Sequence, residues 1–76
     1  MRRRFKVLLE WDEDVGAYAV SVPALPGCVT HGKTLEEAME RAQEAITGYL
    51  KAMAREGETI PDQDPRMLFG EVEVVV

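Results

Sequence analysis

Between Thr34 and Gly57 the apolar residues Leu35, Ala38, Met39, Ala42, Ile46, Tyr49, Leu50 and Met53 recur at three- and four-residue spacings. That period describes a helix with one buried face. Thr34, followed three residues later by Glu37, has the form of a capping box. Glu36 and Glu37 place negative charge at the positive end of the helix dipole, and Lys51 and Arg55 place positive charge toward the other end. Gly57 stands where a C′ glycine ends a helix. A single amphipathic helix cannot bury its own face, so the remaining chain must supply a surface for it.

Outside the helix the pattern changes to alternation, which predicts strands. From Arg4 to Trp11, Phe5, Val7, Leu9 and Trp11 fall on one side and Lys6, Leu8 and Glu10 on the other. The polar Asp12–Gly16 stretch reads as a hairpin loop. Ala17 to Val22 returns antiparallel, with Tyr18, Val20 and Val22 on one side. Pro23-Ala24-Leu25-Pro26-Gly27 cannot run in a central strand and reads as a rigid turn. Cys28 to His31 is a short third strand, and Gly32-Lys33 leads into the helix. Beyond it, Glu58–Arg66 is a loop carrying Pro61 and Pro65. Met67 to Val76 reads as a last strand, with Val72, Val74 and Val76 alternating with Glu71, Glu73 and Val75.

The predicted fold is therefore α+β, ordered β-β-β-α-β, in one domain spanning residues 1–76. Counting directions places the fourth strand parallel to the first and third. The simplest arrangement is a four-stranded mixed sheet of order 3-2-1-4 with one long helix across one face. The helix is expected to cover Phe5, Val7, Leu9, Tyr18, Val20 and Val22. Leu8, Ala19 and Val75 would lie on the open face.

Size makes this fold marginal alone. A domain of 76 residues buries only about 60–65% of its unfolded surface. Cys28 is the one cysteine and His31 the one histidine, so neither disulfides nor a zinc cluster is expected to supplement the core. Association with a second copy is the expected source of further stability, giving a homodimer. The helix offers a candidate contact for it: Arg41, Ala45, Gly48 and Ala52 form a stripe beside the core face, and a glycine there permits close backbone approach.

The net charge is −5, with basic excess confined to Arg2, Arg3, Arg4 and Lys6. An acidic body argues against nucleic acid as principal partner and for a basic one. No apolar run reaches membrane-spanning length, and the N-terminus has no signal-peptide core, so a cytoplasmic location is expected.

Candidate chemistry is sparse. Cys28 and His31 lie three apart, and on a strand that spacing points them to opposite faces. The predicted sheet order resembles the core of RNase H-like nucleases, which hold two divalent metals with carboxylates. Glu10, Glu71 and Glu73 are the acids at matching strands, but they alternate with apolar residues as on a solvated face. A residual metal-dependent nuclease is thus the weakest of the alternatives, and no catalytic residue, cofactor or metal ligand is assigned.

Four segments together resemble the HicB-like (UPF0150-type) antitoxin domain. They are Gly16-Ala17-Tyr18, Ser21-Val22-Pro23-Ala24-Leu25-Pro26-Gly27-Cys28, Gly32-Lys33-Thr34-Leu35-Glu36-Glu37-Ala38 and Glu44-Ala45-Ile46. Gly57-Glu58-Thr59-Ile60-Pro61 matches the family's helix exit. The resemblance implies a degraded RNase H-like fold and an antitoxin that masks HicA, a small basic mRNA-cleaving toxin. Many family members carry a C-terminal DNA-binding domain, which is not seen after Val76, so direct DNA binding is not expected. A stand-alone domain with a regulatory or scaffold role and no toxin is the alternative. If a basic toxin is bound, the compact acidic loop Asp12, Glu13 and Asp14 and the helix flank Glu36, Glu40 and Glu44 are the candidate contacts.

Overall fold

The computed structural model describes residues 2–62 and 64–76. Strand β1 spans Leu8–Asp12, β2 Ala17–Ser21 and β3 Val29–Gly32, and helix α1 spans Leu35–Arg55. The three strands form one antiparallel sheet in the order β1-β2-β3. Leu9 pairs with Val20, and Val20 with Thr30, across its centre.

The helix begins and ends as its sequence requires. Thr34 Oγ1 accepts a hydrogen bond from the Glu37 N–H at 3.0 Å. Glu37 Oε1 reaches back to the Lys33 N–H at 3.3 Å, one residue earlier than the standard capping box. Gly57 adopts φ of 73°, and the neighbouring Glu56 and Glu58 N–H groups cap carbonyls of the last turn.

Two apolar clusters join the layers. In the first, Val20 packs with Ala38 and Ala42, flanked by Val7, Leu9 and Tyr18. In the second, Val22, Leu25 and Cys28 pack against Phe5, Ala45, Ile46, Tyr49, Leu50 and Met53. The Pro23–Gly27 turn is what builds the second cluster. Leu25 N–H donates to the Val22 carbonyl at 2.9 Å, Cys28 N–H to the Leu25 carbonyl at 3.0 Å, and Val22 N–H to the Cys28 carbonyl at 3.1 Å. Gly27 at φ of 81° closes this loop. Its centre, Leu25, is driven into the core with 1% of its surface left. The Tyr49 hydroxyl donates to the Pro26 carbonyl at 2.7 Å and ties the turn to the helix.

The helix lies so close to β3 at its start that Gly32 has no room for a side chain. A Cβ there would stand 2.6 Å from Ala38 Cα. Leu35 and Met39, expected on the buried face, are instead more than half exposed, because the small Ala38 and Ala42 take the closest approach.

Among the described residues the expected fourth strand is absent from the sheet of one chain, and the RNase H-like arrangement, which needs it, is not completed there. Residues 67–76 carry no strand pairing. Their approach to the sheet explains why. The preceding segment runs along Arg3–Lys6, upstream of β1. Arg3 donates to the Pro61 carbonyl at 3.0 Å, and the Lys6 N–H donates to the Asp64 carboxylate at 2.6 Å instead of to a strand carbonyl. Pro61 and Pro65 have no N–H with which to start a ladder. The segment then leaves the body: Leu68, Phe69, Val72, Val74, Val75 and Val76 are 70% or more exposed. The radius of gyration, 14.7 Å, exceeds the roughly 11 Å of a compact chain of this length. Burying a Val, Leu or Phe stabilises by about 1.5–3 kcal/mol, so this arm leaves on the order of 10 kcal/mol of burial unused.

The glycines at β3 and within the helix should respond oppositely to alanine. Gly32→Ala forces the helix off β3 and should lower stability by about 2–3 kcal/mol. Gly48, whose added Cβ would meet open space, should gain about 1 kcal/mol as Gly48→Ala. Urea unfolding of both variants checks this. Thr34→Ala, measured the same way, should lose about 1 kcal/mol of stability with the cap.

Candidate protein-interaction surface

The hairpin loop is held by its first residue. Asp12 Oδ1 accepts from the Asp14 N–H at 3.0 Å and the Val15 N–H at 3.4 Å, and the Asp12 carbonyl accepts from the Gly16 N–H at 2.8 Å. Gly16 supplies the positive φ, 72°, that turns the chain into β2. Asp12 thus shapes the loop, while Glu13 and Asp14 stand exposed beside it.

Strand register brings this loop to the same end of the sheet as the start of the helix. Trp11 pairs with Tyr18, Tyr18 with Gly32, and Gly32 leads through Lys33 and Thr34 into α1. Glu13 and Asp14 therefore share one end of the molecule with Glu36. Apolar surface is exposed at that end too. Trp11, stacked edge-on against Tyr18 with ring centroids 4.9 Å apart, is 47% exposed, and Leu35 is 56% exposed. The hydrophobic pattern places neither at a surface. Their positions at element ends, where the covering layer runs out, are the signal that marks them.

Glu36, Glu40 and Glu44 succeed one another at four-residue intervals along the exposed side of α1. Glu36 and Glu40 line a groove of about 420 Å³ whose walls include Phe5, Val7, Met39 and Ile46. All six candidate acids are exposed. The proposed helix stripe is divided: Arg41 and Gly48 are exposed, Ala45 is half-buried against the Val22–Leu25–Cys28 cluster, and Ala52 is half-buried.

The open face of the sheet forms a wider groove of about 690 Å³, lined by Leu8, Ala19, Val29, His31 and Phe69 among others. Leu8 and Ala19 lie where the alternation puts them. Val75 does not, since it sits on the projecting arm.

The residues weighed for catalysis are not brought together. Cys28 lies in the core and His31 is exposed on the opposite side of the sheet. Glu10 is on β1 and Glu71 and Glu73 are on the arm, and among the described residues no group of three His, Cys, Asp or Glu side chains is placed to hold a metal ion. Among them, too, no helix is long and apolar enough to cross a membrane. Burial pushes the Cys28 thiol up from its ordinary value. Folding therefore favours the protonated thiol. That contribution is complete below the unfolded-state thiol value and is lost as pH rises through the higher folded-state value. Thiol-reagent kinetics at mildly alkaline pH should show Cys28 reacting at least roughly tenfold more slowly in the folded chain than in denaturant.

Comparison with known proteins places the chain in a family. The sequence model of a family described as the HicB_like antitoxin of bacterial toxin-antitoxin systems matches residues 5–68. A UPF0150 protein of Thermoplasma acidophilum, Ta0767, is 47% identical over 58 residues, which cover 76% of this chain and 83% of that protein. A UPF0150 protein of Archaeoglobus fulgidus is 51% identical over 59 residues, covering 75% and 84%. Among solved structures, the N-terminal domain of the Burkholderia pseudomallei antitoxin HicB superposes with a TM-score of 0.70 at 27% identity, covering 82% of this chain and 72% of that one.

Proposed function

The chain belongs to the HicB-like antitoxin family, and on that premise we propose that it is an antitoxin that binds a small basic mRNA-cleaving toxin of the HicA type. It works by occlusion, as a homodimer, without catalysis. The observation that carries this reading is the acidic end of the molecule. Glu13, Asp14 and Glu36 gather there beside exposed Trp11 and Leu35, with Glu40 and Glu44 continuing the charge along the helix.

A ribonuclease must bind phosphates, so its active face carries positive charge. An acidic surface with exposed apolar residues at the same end of the molecule competes for that face. The charges steer the encounter and select the partner, and the aromatic and aliphatic side chains supply buried area once the surfaces meet. Asp12 contributes through the loop shape it imposes.

The test is a salt-eluted pull-down from the native host with the tagged full chain. A small basic ribonuclease, recovered in stoichiometric amount, released by salt and silenced by the chain, is the expected result. Recovery of no such protein would leave a stand-alone domain with a regulatory or scaffold role. With the toxin in hand, the triple change Glu13→Lys, Asp14→Lys and Glu36→Lys should weaken binding roughly 30-fold, at under 1 kcal/mol for each exposed charge pair. Calorimetry should also show a shallower salt dependence, with the fold unaltered because these side chains are exposed.

A further inference from the structure

The outer edge of β1 and the projecting arm are both unpaired among the described residues. β1 pairs with β2 on one side only, and its other edge, from Leu8 to Asp12, has no neighbouring strand among the described residues. Residues 67–76 alternate as a strand does, with Leu68, Val72, Val74 and Val76 on one side and Met67, Phe69, Glu71, Glu73 and Val75 on the other. The same chain cannot join them as it stands. Its segment at Asp64 is held beside Lys6, and residues 67–76 carry no strand pairing, with Phe69 at the rim of the groove on the open face of the sheet.

We propose that Met67–Val76 of each chain adds as a strand to the β1 edge of a second copy, and that this reciprocal exchange is the dimer. The inference deepens the homodimer part of the reading above and does not depend on a toxin. Three observations favour a second copy as the occupant. The apolar side of the arm suits the helix-side groove beside β1, which is lined by half-buried Phe5, Val7 and Ile46 and by exposed Met39. Asp64 Oδ1, at the root of the arm, is buried and has no hydrogen-bond partner among the described residues, as at a joint that lacks its other member. Reciprocal exchange also covers, in both copies at once, the arm's Leu68, Val72, Val74 and Val76, which are 70% or more exposed in the single chain.

Charge sets the direction. A parallel arm would bring Glu71 and Glu73 beside Glu10 and Asp12, and like charges on neighbouring strands repel. An antiparallel arm places Met67 and Phe69 at that end instead and carries Glu73 toward Lys6 and Arg4.

Sedimentation equilibrium of the full chain and of Val72→Pro tests the exchange. Val72 is 86% exposed, so proline there leaves the body folded while removing a strand N–H. Val72→Thr, which keeps the N–H, is the control. The full chain and Val72→Thr should sediment at twice the 8.5 kDa chain mass. Val72→Pro should dissociate at least 100-fold more readily with unchanged helical circular dichroism. Mixed isotope-labelled and unlabelled chains should give nuclear Overhauser contacts between Leu8–Asp12 of one copy and the arm of the other. A full chain that sediments at 8.5 kDa overturns both the dimer and the exchange. A Val72→Pro dimer as tight as the parent, or arm contacts found only within one copy, overturns the exchange alone.

Discussion

The burial of Leu25 is the constraint on which the rest of this fold depends. The sheet has three short strands, and the helix touches it closely only at its start, where Ala38 and Ala42 meet Gly32 and Val20. Such small residues bring backbones together but bury little area. The second half of the helix would have nothing to cover if the chain between β2 and β3 were a simple loop. Pro23–Gly27 instead folds into a hydrogen-bonded turn that carries Leu25 beneath Ile46, Tyr49, Leu50 and Met53. The Tyr49–Pro26 hydrogen bond then fixes the angle between helix and sheet. At the other end of the helix, the register of Trp11, Tyr18 and Gly32 sets the helix entry beside the hairpin, and so collects Glu13, Asp14 and Glu36 at one end.

Much of this is legible in the chain. Period separates helix from strand, and the residues of Thr34–Gly57 carry both ends of α1. The hairpin is written in Asp12 and Gly16. The proline-glycine turn reads as rigid, yet the role of Leu25 does not show, because a lone leucine between prolines has no periodic neighbour to declare which way it faces. Period alone assigns Leu35 and Met39 to the core, since it cannot tell which apolar residues of a wide stripe lie nearest the sheet. The last strand is the largest difference. Its alternation is real, but alternation specifies a strand without specifying which sheet receives it, and the contacts at Asp64 decide that here.

The candidate surface illustrates the same division. The acidic residues are visible as sequence clusters, though their meeting at one end requires the register of Trp11, Tyr18 and Gly32. Asp12 belongs to the cluster by charge and to the loop by geometry: both parts of its role come from one carboxylate and one carbonyl. The exposed Trp11 and Leu35 emerge only from packing.

Because Arg3 is joined to Pro61 and Lys6 to Asp64, the polypeptide enters and leaves the folded body at the same place. A body with adjoining ends can be spliced into a loop of another protein, repeated in tandem or fused to a different tail, because none of these operations stretches or crosses its core. The architecture is thus portable: selection can exchange the segment beyond Asp64 while Leu25, Gly32 and the helix remain as they are.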